Sequence, residues 1–217
     1  MLYFSKSSGS AQASRTLDEY MTGKVLAPSK LAHVVLRTKN FSSLVSFYQI
    51  FLGAHATYEN KQLAFLTYDD EHHRVAIAAV PNTSVRDRNS TGMDHVAFTF
   101  NSLRDLTLAY KQRAAYGILP FWSINHGPTM SLYYQDPDGN KVETQVDLFD
   151  TLEEEIAFFG TPEFNENPIG VDVDPEDIIA RLDNGEEEKS IKKRPHIGPR
   201  GPDSIVMPSE PTWVNPE

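Results

Sequence analysis

The sequence predicts an α+β protein in which one unit, a strand followed by a helix and three more strands, occurs twice. The first observation is a repeat of spacing: 20 positions separate His33 from Gly53, and 22 separate His95 from Gly117. The second is the periodicity, since each stretch begins with alternating apolar and polar residues and continues with apolar residues at helical spacing. Two units of matched length and pattern indicate an internal repeat.

The first unit occupies residues 31–82. Residues 33–38, His-Val-Val-Leu-Arg-Thr, alternate as in a half-buried strand. The next segment predicts a helix over Phe41–Leu52, which Gly53 would end in the left-handed conformation. Three apolar runs then predict the remaining strands, which are Ala54–Tyr58, Gln62–Tyr68 and His73–Val80.

The second unit occupies residues 93–149 and begins with the strand His95–Phe100. Ser102 stands three residues before Asp105, which predicts the start of a helix that stops at Gly117. The strands predicted to complete the unit are Ile118–Asn125, Thr129–Gln135 and Lys141–Asp147. Neither unit is large enough to bury a core alone, so the two are expected to pack together.

Two segments flank the predicted core. Residues 1–30 are rich in serine and small residues and predict a loose or docked arm. Residues 150–217 form a proline-rich, charged extension, within which Asp174 predicts the start of a short helix over Pro175–Leu182. This extension either wraps the core or a second subunit, or it is a disordered end.

Composition excludes several classes of protein. A formal charge of −10 disfavours a nucleic-acid partner, because phosphate contacts need clustered lysine and arginine. The absence of cysteine excludes disulfides, thiolate metal sites and a cysteine nucleophile. No secretory signal and no apolar run of roughly 20 residues is present, so no membrane association is expected. The sequence therefore predicts a soluble, cytoplasmic protein.

Three side chains that can bind a metal are predicted on one concave surface. Strand alternation places His33 and His95 opposite the apolar residues that pack under the helices, and it places Glu143 opposite Val142 and Thr144. A histidine at the start of a strand is more often an ordinary core or surface residue. The matched position of the second histidine favours a site of two imidazoles and one carboxylate, a set that leaves positions open on Fe(II).

Two motifs resemble those of a known family. Tyr133 follows His126 by seven positions and precedes Glu143 by ten, with Asp-Pro-Asp-Gly between them. This spacing resembles the signature of type I extradiol dioxygenases of the vicinal-oxygen-chelate superfamily. Residues 71–79, Glu-His-His-Arg-Val-Ala-Ile-Ala-Ala, are similar to a stretch of biphenyl-2,3-diol dioxygenases. The resemblance covers about residues 31–149 and neither flanking segment, and the extra N-terminal pair of modules in those relatives has no counterpart here.

The resemblance implies a fold, a reaction and a set of site residues. The two βαβββ modules would form a cup-shaped mixed sheet, and the reaction would be extradiol cleavage of an aromatic diol by O₂. The implied ligands of Fe(II), with Mn(II) as the alternative metal, are His33, His95 and Glu143. The implied catalytic side chains, which would contact O₂ or the diol oxygens, are His73, His126 and Tyr133.

Other interpretations stay open at this point. The fold family includes metal-dependent isomerases and lyases that act on enediols, and also proteins that bind an aromatic ligand without chemistry. Each of the three catalytic candidates, taken singly, is more often a packing, surface or turn residue. The identity of the diol and a homo-oligomeric state are not readable, although four apolar residues are candidates for pocket walls: Phe65, Phe121, Trp122 and Met130.

Overall fold

The computed structural model describes residues 25–84, 87, 90–207 and 213. Most of the predicted arm, residues 1–30, lies outside these residues. The chain divides into two compact units, of which residues 1–31 form the first and residues 32–217 the second. In the first unit, the described residues 25–31 contain neither helix nor strand.

The first module has the predicted order of elements. It consists of β1 (Val34–Thr38), α1 (Phe41–Leu52), β2 (His55–Glu59), β3 (Leu63–Thr67) and β4 (Val75–Ala79). The sheet order is β1-β4-β3-β2, with β1 parallel to β4 and the other pairs antiparallel. The left-handed Gly53 (φ 61°) ends α1 as predicted, and its N–H is donated to carbonyls of the last turn.

The second module repeats this arrangement. It consists of β5 (His95–Thr99), α2 (Leu103–Ala114), β6 (Trp122–Asn125), β7 (Thr129–Gln135) and β8 (Lys141–Asp147). Its sheet has the equivalent order β5-β8-β7-β6, again with a parallel first pair. The side chain of Ser102 accepts the N–H of Asp105 at 3.0 Å, which confirms the predicted helix start. The predicted fold class, two βαβββ modules, is confirmed.

The strand β6 differs most from its predicted bounds, and several other strands are shorter at their ends. The apolar run from Ile118 was expected to be extended throughout, but β6 begins only at Trp122. The N–H of Ile118 instead closes the end of α2 by donation to the carbonyl of Arg113 at 3.0 Å. Pro120 has no N–H to contribute to a ladder, so strand pairing starts after it.

The extension has regular structure of its own. It contains α3 (Leu152–Phe158), α4 (Pro162–Glu166), β9 (Val171–Asp172), α5 (Pro175–Asp183), α6 (Glu188–Lys192) and a 3₁₀ turn (Pro202–Ser204). The predicted helix at Pro175 is confirmed, with Asp174 accepting the N–H of Glu176 at 2.9 Å. Among the described residues, none of the helices is long and apolar enough to cross a membrane.

The extension packs on the second module. β9 pairs antiparallel with β6 and so becomes the fifth strand of that sheet. The hydroxyl of Tyr110 in α2 donates to Glu176 at 2.9 Å, and Arg104 donates to the carbonyl of Leu182 at 3.0 Å. One apolar core includes residues of both modules together with residues of α5 and α6: Ile178, Ile179, Leu182 and Ile191. The described part of the extension is therefore folded onto the core rather than a free end.

The turn between β7 and β8 is held by Asp136, which is fully buried. Its carboxylate accepts the backbone N–H groups of Asp138 (3.0 Å) and Asn140 (2.8 Å), and also the hydroxyl of Tyr48 in α1 (3.1 Å). One side chain thus fixes the hairpin and ties it to the helix of the other module.

Substituting Asp136 with alanine should therefore lower the free energy of unfolding by about 2 kcal/mol, because the buried Tyr48 hydroxyl loses its acceptor while the turn amides can reach water. Urea denaturation followed by circular dichroism would measure this loss. The matched control is Asp138→Ala in the same turn. The Asp138 side chain accepts an exposed hydrogen bond from the side chain of Asn40. Equal losses for the two variants would contradict the assignment.

Candidate functional site

A histidine cluster lies at one end of the first sheet. His33 immediately precedes β1 and His73 lies two residues before β4, and the parallel pairing of these strands brings the two rings to 4.3 Å between centroids. His73 is buried and its ring stacks on Phe65 at 4.5 Å, whereas His33 is exposed. The predicted ligand His33 and the predicted catalytic His73 are thus neighbours.

The protonation of His73 follows from its surroundings. Burial lowers its pKa, and the nearby His33 and His72 rings lower it further, so the neutral ring is favoured. Its Nδ1 lies 2.5 Å from Nδ1 of His72, a contact that needs a proton on one of the two nitrogens. A neutral imidazole has one ring nitrogen that donates a hydrogen bond and one that accepts.

The second cluster joins His95 to Glu143. Parallel pairing of β5 with β8 sets Ala97 opposite Glu143. Ala97 lies two residues after His95 in β5, so His95 and Glu143 are close neighbours on the sheet. The Nε2 atom of His95 lies 2.9 Å from Oε2 of the buried Glu143, and its Nδ1 lies 2.8 Å from Asp94. Lys141 pairs with the same Asp94 at 2.5 Å.

The charges in this cluster are strongly coupled. The hydrogen bond to Glu143 raises the pKa of His95 against the opposing effect of burial. Burial alone would raise the pKa of Glu143, but hydrogen bonds from His95 and Ser131 lower it overall. The carboxylate is therefore ionised at neutral pH, and one of its oxygens is in direct contact with the imidazole nitrogen.

A third group lies beside the second on the same sheet. The β7–β8 hairpin sets Tyr133 directly opposite Glu143, which explains the ten-residue spacing in the motif. The hydroxyl of Tyr133 lies 3.0 Å from Nε2 of His126. Burial lowers the pKa of His126 and raises that of Tyr133, and the charge of Glu143 raises the latter further. Both side chains are therefore neutral at neutral pH.

Aromatic rings flank this third group. Trp122, opposite Tyr133 on the adjacent strand, stacks on it with centroids 5.0 Å apart, and its Nε1–H donates to Asp172 of β9 at 2.8 Å. The ring centroid of Phe121 lies 6.4 Å from that of Tyr133. Of the candidate pocket walls, Trp122 and Phe121 thus lie beside the site and Phe65 lies at His73, whereas Met130 belongs to the apolar core.

The comparison with protein families matches residues 30–144, more than half of the chain, to the Glyoxalase/Bleomycin resistance protein/Dioxygenase superfamily. The chain belongs to this superfamily. The matched residues include both modules as far as Glu143 and leave the extension outside. Membership agrees with the observed pair of βαβββ modules.

Two curated proteins are similar to this chain over most of their length. Biphenyl-2,3-diol 1,2-dioxygenase 2 of Rhodococcus globerulus is 47% identical over 161 residues, which are 73% of this chain and 84% of the relative. Biphenyl-2,3-diol 1,2-dioxygenase 3 of the same organism is 40% identical over 167 residues, which are 76% and 88% of the two chains. The similarity therefore extends beyond the residues that the family model matches.

Solved structures of the superfamily are more distant. A fosfomycin resistance protein, FosX, of Listeria monocytogenes is 21% identical, covers 59% of this chain and 99% of its own, and has a TM-score of 0.46. A lactoylglutathione lyase of Agrobacterium tumefaciens is 20% identical, covers 55% and 94%, and has a TM-score of 0.45.

The structure groups the predicted site residues into two sets. His95 and Glu143 are in contact, with Tyr133 and His126 beside them, while His33 contacts His73. Across the described part of the chain, no three histidine, aspartate or glutamate side chains are already arranged to hold a metal ion. The assignment of all three ligands thus stays a prediction.

Sequence reasoning missed three contributors to the site. These are Asp94 beside His95, and two groups of the extension, the side chain of Asp172 and the carbonyl of Ile169. Adjacency to a candidate ligand was a signal for Asp94. No local pattern marks the other two, because β9 reaches the site only through pairing with β6.

Proposed function

We propose that this protein is an extradiol dioxygenase, which opens the ring of an aromatic 1,2-diol beside a hydroxyl-bearing carbon and incorporates both atoms of O₂. The observation that carries the proposal is the row formed by Trp122, Tyr133 and Glu143 on adjacent strands, completed by His95 and His126. In that row the proposed metal ligand Glu143, the proposed proton-transfer group Tyr133 and the aromatic ring of Trp122 are adjacent. The two similar proteins named as biphenyl-2,3-diol 1,2-dioxygenases support an aromatic diol as substrate.

The donor set fits a divalent transition metal. Two imidazoles and a buried carboxylate suit Fe(II) and also Mn(II). The sequence contains no cysteine, so no thiolate ligand is available. The residues that would hold the ion are His33, His95 and Glu143. Fe(II) bound there would supply open coordination positions for both reactants and a path for electrons between them. The cytoplasm, our proposed location, is reducing and would keep the ion as Fe(II).

The pair formed by Tyr133 and His126 would take a proton from the diol. Neutral His126 accepts the Tyr133 hydroxyl at Nε2, so the tyrosine oxygen is left to accept from a substrate hydroxyl. As that proton arrives at the tyrosine, the tyrosine proton moves to His126. A diol monoanion is thereby formed without a free base in water.

The histidine cluster would serve the other side of the reacting centre. His73 is neutral and in contact with His72, so a ring N–H can donate a hydrogen bond to oxygen as negative charge develops there. Phe65 behind His73, and Trp122 behind Tyr133, present aromatic faces that would exclude water and hold a planar ring.

Oxygen consumption tests the proposal directly. The full-length protein, loaded with Fe(II) without air, should consume O₂ when given catechol or 2,3-dihydroxybiphenyl and form a yellow ring-opened semialdehyde in equal amount. A parallel Mn(II) loading compares the two metals. Tight Fe(II) binding without turnover of any diol would indicate another metal-dependent reaction of the superfamily. Failure to bind either metal would indicate a protein that binds its ligand without chemistry.

A further inference from the structure

The backbone of the extension contacts a candidate catalytic side chain. The carbonyl oxygen of Ile169 lies 2.5 Å from Nδ1 of His126. A carbonyl oxygen can only accept a hydrogen bond, so the ring carries its proton on Nδ1. In the neutral ring the other nitrogen, Nε2, then has a lone pair and no proton.

This tautomer decides where the Tyr133 hydroxyl points. The hydroxyl has one proton and two nearby acceptors, Nε2 of His126 at 3.0 Å and the carboxylate of Glu143 across the β7–β8 ladder. If Nε2 carried a proton, it would donate to the tyrosine oxygen and the hydroxyl would turn to Glu143. With the proton on Nδ1, the hydroxyl donates to His126, and the oxygens of Glu143 are left to His95, Ser131 or a cation.

The carbonyl of Ile169 is held in place by a buried network. Asn167, which is 4% exposed, accepts the N–H groups of Ile169 (3.2 Å) and Gly170 (2.7 Å). Arg194 donates to the carbonyls of Asn167 (3.0 Å) and His126 (2.9 Å), so it joins the loop to the strand end that carries the histidine. A loop fixed at both sides has little freedom to withdraw its carbonyl.

The close approach of the loop depends on a glycine. Gly170 has φ 118°, and a Cβ atom there would lie 2.3 Å from the carbonyl oxygen of Asn125 and 2.8 Å from Cα of His126. Any side chain would push the loop off the strand that it touches. The sequence therefore allows this contact only through glycine at this position.

We propose that the extension is a positioning element of the active site: the Ile169 carbonyl sets the Nδ1–H tautomer of His126 and directs the Tyr133 proton to it. The inference rests on the proposed function, which assigns these two side chains to the proton path. Residues 167–170 and Arg194 lie beyond residues 30–144, which the superfamily model matches, so this part of the site is supplied from outside the two modules.

Nitrogen-15 NMR of the imidazole rings tests the tautomer in the metal-free full-length protein. His126, assigned by the signal lost in His126→Gln, should show a protonated Nδ1 and an unprotonated Nε2. In Gly170→Ala the loop is displaced, and the Nε2–H form should appear. The matched control is Gly198→Ala, at a similarly left-handed residue (φ 84°) with no atom within 4 Å of the added Cβ, and it should retain the wild-type spectrum.

Tyr133→Phe provides a second test if Gly170→Ala fails to fold. It removes the partner of Nε2 and leaves Ile169 in place, so the Nδ1–H form should persist. In the Fe(II)-loaded enzyme, Gly170→Ala should lower kcat for the diol by about 10- to 100-fold, as for other partners that orient site residues.

Two results would overturn the positioning role: an Nε2–H form in the wild-type protein, or an unchanged tautomer in a folded Gly170→Ala. Neither readout needs metal or diol. Absence of ring cleavage with the expected tautomer would instead count against the proposed function alone.

Discussion

Glu143→Gln should abolish tight Fe(II) binding and lower diol turnover by more than about 100-fold, the upper range found even for residues that only support metal ligands. The carboxylate is 4% exposed and ionised, and it lies 2.9 Å from Nε2 of His95. Glutamine has nearly the same shape but no negative charge. It presents an amide where a cation needs an anionic oxygen, so binding is lost while packing is retained.

Isothermal titration with Fe(II) under nitrogen, followed by oxygen uptake with the diol, would measure both effects. The matched control is Asp147→Asn, at an exposed residue four positions along the same face of β8, which removes an equal charge and should leave both quantities unchanged. Wild-type Fe(II) affinity in Glu143→Gln would exclude this carboxylate as a ligand and would require a different metal site.

Arg113→Ala should lower the free energy of unfolding by about 4 kcal/mol, which combines a large cavity with a lost buried hydrogen bond. Arg113 is 3% exposed, and its Nε–H donates to the carbonyl of Phe51 in the last turn of α1 at 2.8 Å. Its guanidinium lies 4.2 Å from the centroid of the Phe51 ring and 5.4 Å from that of Tyr134. The side chain therefore joins α2 of one module to α1 of the other.

Chemical denaturation would measure this loss, with Lys111→Ala, an exposed change in the same helix, as the control. Burial lowers the pKa of Arg113, and its hydrogen bonds go to two neutral groups, the carbonyl of Phe51 and the hydroxyl of Thr144. The charge is therefore costly to bury, and its contacts must exceed that cost. A loss below about 1 kcal/mol would show that the contacts and the burial cost nearly cancel.

Local patterns were enough to predict the two modules. The left-handed Gly53, the Ser102 cap and the strand alternation depend on residues close in sequence, so each was readable before any fold was known. The same holds for Tyr133 and Glu143, because a tight turn between two strands fixes which residues face each other.

The surroundings of these residues were not readable in the same way. Lys111 and Arg113 both lie in the last turn of α2, and no sequence pattern there shows that the guanidinium of Arg113 is buried in the core. Nor does any pattern show that His33 would contact His73 across a parallel pair whose strands are more than 30 residues apart. Such contacts depend on how helices and strands from distant parts of the chain pack.

Periodicity and turn chemistry act over a few residues, so the repeat, the order of helices and strands, and the side chains capable of metal and proton chemistry could all be read from the sequence. The pairing of the extension with the second sheet through β9, which brings the carbonyl of Ile169 to His126, is visible only in the folded chain. A backbone carbonyl has no signature in sequence, and its role depends entirely on where the chain folds it.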